Sequence, residues 1–194
     1  MQKLTLIGAG PGDKELITVK GVRALQQADV ILYDALANDT LLNFTSATAI
    51  KIFVGKRAGC HSLNQSEINK LIIDSIYNYG NVVRLKGGDP VVFGRGYEEV
   101  DYVQTFGIET EIISGISSCI AVPTSQNIPL TRRGISESFW VMTGHTKNGN
   151  LPKDIRLAAQ SSATVVILMG TSNLPKLTAI FKEYGKSELP VAVI

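Results

Sequence analysis

Short apolar runs and longer amphipathic stretches alternate along nearly the whole chain. The runs are rich in β-branched residues, as at 29–33 and 81–86, and this predicts buried strands. The longer stretches repeat an apolar residue every three or four positions, which predicts helices. The clearest helix covers 64–79, where Asn64 and Glu67 can form a capping box. Strands are predicted at 3–7, 29–33, 49–54, 81–86, 109–113, 138–143, 163–169 and 190–194, and helices at 15–28, 64–79, 97–106, 117–126, 152–159 and 173–184.

This alternation predicts an α/β fold with mainly parallel sheets and helices on both faces. We place a boundary near Ser114 and Gly115, which gives an N-terminal α/β domain over 1–113 and a C-terminal α/β domain over 114–194. The second series has fewer strand–helix units than the first, and no helix follows the strand predicted at 190–194. We therefore expect the second domain to be truncated.

Composition and charge remove several classes of function. The formal net charge is +2, so the chain lacks the basic field expected of a nucleic-acid-binding protein. Two histidines and two cysteines without ligand spacing predict no metal site. The apolar N-terminal stretch is too short for a signal peptide, and the apolar run at 165–169 is too short to cross a bilayer. A cytoplasmic setting is the default expectation.

Glycines and reactive side chains follow nearly every predicted strand. In open α/β sheets, ligands bind beyond the carboxyl ends of the strands, so these loops predict a ligand cleft between the two halves of the chain. The segment at 84–96 is the richest, because it combines paired glycines, an Asp-Pro step and flanking cations. Paired glycines let a ligand approach the backbone closely. The strand ends are Gly8, Asp34, Gly55, Lys86-Gly87, Ser114-Gly115, Gly144 and Met169-Gly170.

Local sequence leaves the roles of several residues open. The loop at 8–13 is similar to a dinucleotide fingerprint, with Asp34 placed to bind a ribose hydroxyl, but Pro11 has no N–H to offer a pyrophosphate. Asp34 could be a general base, or a helix cap or turn residue. Lys56 could bind carboxylates or move a proton, or lie in a solvated basic turn. Met169 could pack on a flat base or in a core.

Eight segments in order make the chain resemble the tetrapyrrole methylases. Two of them, at 54–61 and 84–90, are similar to the members that act on uroporphyrinogen III. The resemblance covers essentially the whole chain. The segments are Gly8-Ala-Gly-Pro-Gly-Asp13, Tyr33-Asp34, Val54-Gly-Lys-Arg-Ala-Gly-Cys-His61, Arg84-Leu-Lys-Gly-Gly-Asp-Pro90, Phe93-Gly-Arg-Gly96, Ile128-Pro-Leu-Thr131, Val141-Met-Thr-Gly-His145 and Met169-Gly170.

The resemblance implies a two-domain tetrapyrrole methylase fold, a homodimer, and S-adenosyl-L-methionine as cofactor with S-adenosyl-L-homocysteine as product. It implies methylation of two ring carbons of uroporphyrinogen III to give precorrin-2 for sirohaem or cobalamin biosynthesis. Matched position by position, Asp34 would accept a proton and Lys56 would donate one. The cofactor contacts would be Pro11, Gly87, Gly88, Asp89, Val92, Ser117, Ser118 and Met169.

The tetrapyrrole substrate carries many carboxylates, and cations around the loops are our hypothesis for its binding: Arg57, Arg95, Arg132 and Arg133. The chain departs from the family's usual residues most visibly at Ala35, Val91, Ser114 and Arg132. Three alternatives stay open at this point. They are a methylase of a later precorrin, a cofactor-binding but inactive truncated chain, and a nicotinamide-dependent dehydrogenase.

Overall fold

The computed structural model describes residues 2–55 and 63–194. The chain forms two compact units, of which the first ends at Ser118 and the second begins at Cys119. The first unit contains a five-stranded sheet and the second a two-stranded sheet. Within each sheet all strand pairings are parallel, which confirms the predicted α/β class. The division into domains at 1–113 and 114–194 stays a prediction.

Most predicted elements are present, with bounds that differ by a few residues. The strands are β1 Lys3–Gly8, β2 Val30–Tyr33, β3 Ile50–Phe53, β4 Asn81–Lys86, β5 Glu109–Ile113, β6 Phe139–Thr143 and β7 Thr164–Leu168. The α-helices are α1 Val19–Gln26, α2 Gln65–Tyr79, α3 Gly96–Gln104, α4 Ser118–Ser125, α5 Ile155–Gln160 and α6 Leu174–Glu183. Short 3-10 helices cover Lys14–Leu16, Asp39–Phe44 and Thr171–Asn173.

Local capping explains where two helices begin. In α2 the side chain of Asn64 accepts from the backbone N–H of Glu67, and Glu67 accepts from the N–H of Asn64, so the predicted capping box is confirmed. The helix predicted from residue 15 begins only at Val19, because Thr18 accepts from the N–H of Gly21 at 3.0 Å and caps α1 there. These bonds satisfy N–H groups that have no partner within the helix.

The five-stranded sheet has the order β3-β2-β4-β1-β5 and is covered on both faces. On one face, α2 and α3 pack against side chains such as Leu6, Leu32 and Val82. On the other face, α1 and the 3-10 helix at Asp39–Phe44 pack against others, such as Ile31 and Leu85. A sheet covered on both faces buries side chains on both sides of its central strands, which is why β2 is apolar at four consecutive positions.

The second unit has a smaller core. Strands β6 and β7 pair in parallel, and α5 and α6 contribute Ile155, Ala158 and Leu177 to a cluster with Met142. The strand predicted at 190–194 is wrong, because this segment has no regular secondary structure and its Val191 side chain is 72% exposed. A β-branched apolar segment forms a strand only where a neighbouring strand pairs with its backbone, and no such pairing joins this segment to another described strand.

The longest described helix, α2, has 15 residues. Among the described residues there is no helix that combines the length and the apolar character needed to span a membrane.

Candidate functional site

Three loops at the carboxyl edge of the five-stranded sheet lie in backbone-to-backbone contact. They follow β1, β4 and β5, which are neighbours in the sheet. A Cβ atom added to Gly8 would lie 2.7 Å from the carbonyl oxygen of Gly88, and one added to Gly115 would lie 2.6 Å from the Cα of Gly8. These distances are too short for any side chain, so the contact requires glycine at positions 8 and 115.

Hydrogen bonds join the first two of these loops. The N–H of Gly88 donates to the carbonyl of Gly10 at 2.7 Å, and the N–H of Gly10 donates back to the carbonyl of Gly88 at 3.2 Å. Gly10 and Gly88 have φ angles of +78° and +66°, which side-chain-bearing residues rarely adopt. Gly88, one of the paired glycines predicted to serve ligand approach, therefore also holds two loops together.

Asp89 connects the second loop to the third. Its Oδ2 accepts from the N–H of Gly115 at 3.1 Å, and its Oδ1 accepts from the N–H of Val91 at 2.9 Å. The residue is buried. Each carboxylate oxygen therefore has a backbone donor, and Asp89 stabilises the loop arrangement whatever it does toward a ligand.

The three loops leave room for a ligand beside Gly88. A Cβ added there would meet only the Cα of Ser117, at 3.9 Å, so this face of Gly88 borders open space. Such a cradle suits a group that approaches a bare backbone, and hydroxyls lie beside it at the start of α4. Seven of the eight predicted cofactor contacts lie on these loops or directly beside them: Pro11, Gly87, Gly88, Asp89, Val92, Ser117 and Ser118.

Asp34 lies directly after β2, at the same edge of the sheet. Its Oδ1 accepts from the N–H of Leu36 at 3.1 Å, which is the turn role that local sequence allowed. Its Oδ2 lies 3.5 Å from a terminal nitrogen of the Arg84 guanidinium. The helix-cap alternative is wrong, because Asn38 caps the following 3-10 helix. One carboxylate oxygen thus has a turn role, and the other faces a cation.

A buried charged cluster lies behind Asp34, and the sequence analysis did not identify it. Glu99 of α3 is fully buried, and its Oε1 lies 3.3 Å from Nε of Arg84 and 3.1 Å from Nζ of Lys86. Gln65 also donates to this oxygen, at 3.2 Å. Two signals were available. Arg84 and Lys86 alternate on one face of β4, and Glu99 falls on the buried stripe of α3.

Burial holds the pKa of Lys86 below its usual range, and the nearby positive charge of Arg84 acts in the same direction. Glu99 opposes this shift through its negative charge and its hydrogen bond. The folded chain therefore releases the Lys86 proton at a lower pH than the unfolded chain does.

The pH dependence of stability should change when Lys86 is replaced. Between the pKa of folded Lys86 and 10.5 the unfolded chain binds more protons, so the parent gains stability relative to Lys86→Met as pH rises. We expect a gain of about 1.4 kcal/mol for each pKa unit of lowering. Urea unfolding from pH 7.5 to 10.5 measures it, with Lys153→Met as the control for losing an exposed lysine. Parallel curves for parent and Lys86→Met would contradict the expectation.

Met169 belongs to the second unit, where it follows β7. Its side chain is 56% exposed and its φ is +57°, an uncommon angle for a residue with a side chain. Next to it, Gly144 and Gly170 approach each other, and the buried Asn173 donates to the carbonyl of Gly144 at 2.8 Å. The sequence analysis did not identify Asn173. Because Met169 is exposed, the alternative that its side chain packs in a core is not supported. Its contact with the cofactor stays a prediction.

Two predicted site residues, Lys56 and Arg57, lie outside the described residues. Within residues 2–55 and 63–194, no group of three or more His, Cys, Asp or Glu side chains could hold a metal ion.

Comparison with known proteins defines the class. Residues 3–194 match the family model of the tetrapyrrole (corrin/porphyrin) methylases, and the chain belongs to this family. It is 47% identical over 194 residues to the uroporphyrinogen-III C-methyltransferase of Methanocaldococcus jannaschii. That alignment covers 99% of this chain and 80% of the relative.

Two solved structures are similar. One is the uroporphyrin-III C-methyltransferase of Thermus thermophilus complexed with S-adenosylhomocysteine, with a TM-score of 0.78 and 36% identity over 94% of this chain and 77% of that chain. The other is a cobalt precorrin-4 methyltransferase, with a TM-score of 0.84 and 29% identity over 96% of this chain and 77% of that chain. Both likenesses agree with the predicted two-domain tetrapyrrole methylase fold.

Proposed function

We propose that this chain methylates uroporphyrinogen III at two ring carbons, with S-adenosylmethionine as methyl donor, to give precorrin-2. One observation carries the proposal: the 47% identity to a uroporphyrinogen-III C-methyltransferase extends over 99% of this chain. The glycine-braced loops of the first unit support it, because they border a cradle of the kind that binds a nucleoside.

The cradle fits the methyl donor in shape and chemistry. Gly88 exposes bare backbone, the neighbouring Gly87 packs so closely on Leu36 that a Cβ there would overlap it, and Ser117 and Ser118 add hydroxyls at the start of α4. A sulfonium supplies an already activated methyl group, so the protein's task is mainly to align donor and acceptor carbon. Pro11 and Val92 are half-buried at the edges of these loops and complete the proposed contacts of the first unit.

We assign to Asp34 the role of accepting the proton that the ring loses. Methyl transfer to a ring carbon is balanced by loss of a ring proton, so a carboxylate at the substrate's edge can act as general base. Asp34 meets this need because it lies at the carboxyl edge of the sheet with its side chain 21% exposed. Lys56 as proton donor stays a prediction, since it lies outside the described residues.

Cations are proposed to bind the substrate's carboxylates. Arg95 has a φ of +57°, and its guanidinium donates to Glu98 at 2.6 and 2.8 Å. The hydrogen bonds to Glu98 raise the pKa of Arg95. Arg132 and Arg133 are exposed. Arg95 already interacts with Glu98, so a substrate carboxylate would have to share its charge. We therefore expect Arg95 to contribute less to substrate binding than Arg132 or Arg133 does.

The test is turnover with purified chain, S-adenosylmethionine and one of two substrates, uroporphyrinogen III or cobalt-precorrin-4. We expect dimethylated precorrin-2 from uroporphyrinogen III and no methyl transfer to cobalt-precorrin-4. Methylation of cobalt-precorrin-4 alone would favour the later-precorrin alternative, to which the structural likeness to that methyltransferase points. Binding of S-adenosylhomocysteine in calorimetry, with no turnover of either substrate, would favour an inactive cofactor-binding chain.

We also propose that the chain acts as a homodimer in the cytoplasm on a small molecule, without nucleic-acid or membrane partners. The proposal follows from the family resemblance and from the low net charge of +2. Light scattering coupled to gel filtration measures the oligomer, and a mass of about 21 kDa would correspond to a monomer.

A further inference from the structure

We propose that Arg84 is a positioning residue for Asp34, and that Glu99 holds Arg84 in place. This inference rests on the proposed function, in which Asp34 accepts the proton. It concerns the buried charged cluster of Arg84, Lys86, Glu99 and Asp34, which the family assignment does not explain.

The guanidinium of Arg84 is held from several sides. Its Nε faces Glu99 at 3.3 Å, and one terminal nitrogen donates to the backbone carbonyls of Leu32 at 3.2 Å and Leu85 at 3.1 Å. The residue is 3% exposed. Only the second terminal nitrogen points toward Asp34, at 3.5 Å. A planar guanidinium fixed at three partners presents its remaining N–H groups in one direction.

Asp34 is thereby oriented at both oxygens. Oδ1 accepts from Leu36 at 3.1 Å, and Oδ2 faces Arg84. At 3.5 Å the second contact is longer than an ideal hydrogen bond, so Arg84 orients the carboxylate mainly through its charge. The consequence is a base whose rotamer is set before the substrate arrives, and such preorganisation raises turnover more than substrate affinity.

A contribution to stability does not by itself explain why these charged residues are buried together. A buried ion pair often contributes no more than well-packed apolar residues of similar volume, because both charges lose their hydration. Here Glu99 is fully buried, and its Oε2 has no hydrogen-bond partner among the described residues. The cluster sits between the apolar residues of β4 and those of α2 and α3. Through Arg84 the cluster contacts Asp34, which lies in the loop after β2.

The charges of the cluster balance when all are ionised, with two cations and two carboxylates. Lys86 shares Oε1 of Glu99 with Arg84, so Glu99 can neutralise either cation but not both. Asp34 supplies the second negative charge. Removing Arg84 therefore leaves Asp34 without a cation within ion-pair distance among the described residues.

The test compares Arg84→Met with the parent on uroporphyrinogen III. We expect kcat to fall by about 10- to 100-fold, while KM and the Kd for S-adenosylhomocysteine stay within about threefold. In an Asp34→Asn background, Arg84→Met should lower kcat by no more than about twofold, because Arg84 acts through Asp34. Equal losses in both backgrounds, or an unchanged kcat in Arg84→Met, would overturn the inference.

A second measurement does not depend on turnover. The amide of Leu36 is bonded to Asp34, so a carboxylate released from Arg84 should expose this amide to hydrogen exchange. We expect exchange at Leu36 to be about tenfold faster in Arg84→Met than in the parent. Exchange at the parent rate would show that Arg84 does not orient Asp34.

Two further variants cover the case in which Arg84→Met does not fold. Arg84→Lys keeps the charge without the planar fork, and Glu99→Gln keeps the shape without the charge that holds Arg84. We expect both to lower kcat and speed exchange at Leu36 less than Arg84→Met would, and parental values in both would overturn the inference. The control is Arg156→Met, which removes an exposed pair with Glu183 at 2.7 Å and should keep the parental kcat.

The outcomes separate the inference from the proposed function. If the parent does not methylate uroporphyrinogen III, the proposed function fails, and the exchange rate at Leu36 still decides whether Arg84 orients Asp34. If Asp34→Asn loses turnover and Arg84→Met does not, only the positioning role fails.

Discussion

We expect Asp34→Asn to lower kcat on uroporphyrinogen III by about two to four orders of magnitude, the range that a general base contributes. Asparagine keeps the shape of the side chain and can still accept from the N–H of Leu36, so the turn after β2 is retained. The amide cannot take up the ring proton. Because Asp34 lies after β2 while the proposed cofactor loops follow β1, β4 and β5, we expect the Kd for S-adenosylhomocysteine to change by less than about threefold.

Steady-state kinetics and calorimetry on the same preparation measure the two quantities separately. Asp39→Asn is the matched control, since it makes the same chemical change in the 3-10 helix that follows and should keep the parental kcat. Parental turnover in Asp34→Asn would remove Asp34 from the mechanism. A loss of cofactor affinity as large as the loss of turnover would instead indicate a disturbed loop structure.

Gly115→Ala should have the second large effect, by disturbing the contact between the three loops. Its Cβ would overlap the carbonyl of Gly88 and lie 2.6 Å from the Cα of Gly8, and both neighbours are backbone atoms that cannot rotate away. We expect the free energy of unfolding to fall by about 2–4 kcal/mol. We expect the Kd for S-adenosylhomocysteine to rise by about 100-fold or more, because Gly88 and Asp89 move together with Gly115.

Gly107→Ala is the control that separates the effect of atomic overlap from the effect of backbone strain. Gly107 has a φ of +71°, and a Cβ there would meet nothing within 4 Å. Its substitution should cost about 1 kcal/mol of stability and leave cofactor affinity unchanged. Urea unfolding and calorimetry measure both variants. If Gly115→Ala bound S-adenosylhomocysteine as tightly as the parent, the three-loop contact would not form the cofactor site.

Much of the fold could be predicted because its causes are local. The capping box of Asn64 and Glu67 depends on residues three apart, and the apolar run of β2 lies within a single strand. The same locality explains the error at 190–194. There a β-branched apolar run is present, but a strand also needs a partner for its backbone, and the pattern along one segment carries no information about that partner.

The candidate site could be predicted only in part. The glycines after β1, β4 and β5 stood out in the sequence, and the paired glycines after β4 predicted close approach of a ligand. The role of Asp89 as a brace for Gly115, 26 positions away, was not identifiable. Glu99 was also missed, because a glutamate near the start of a helix is usually a solvated residue that interacts with the helix dipole.

By itself, the sequence determined most of the helices and strands, their order, and the chemical kinds of residue that follow each strand, because these depend on neighbours along the chain. The tertiary structure alone decided which of those residues meet. The strand order β3-β2-β4-β1-β5 places β1 between β4 and β5, and so brings Gly8 against Gly88 and Gly115. It also places β4 beside β2, which brings Arg84 within 3.5 Å of Asp34. Such contacts depend on how strands far apart in the chain pair across the sheet.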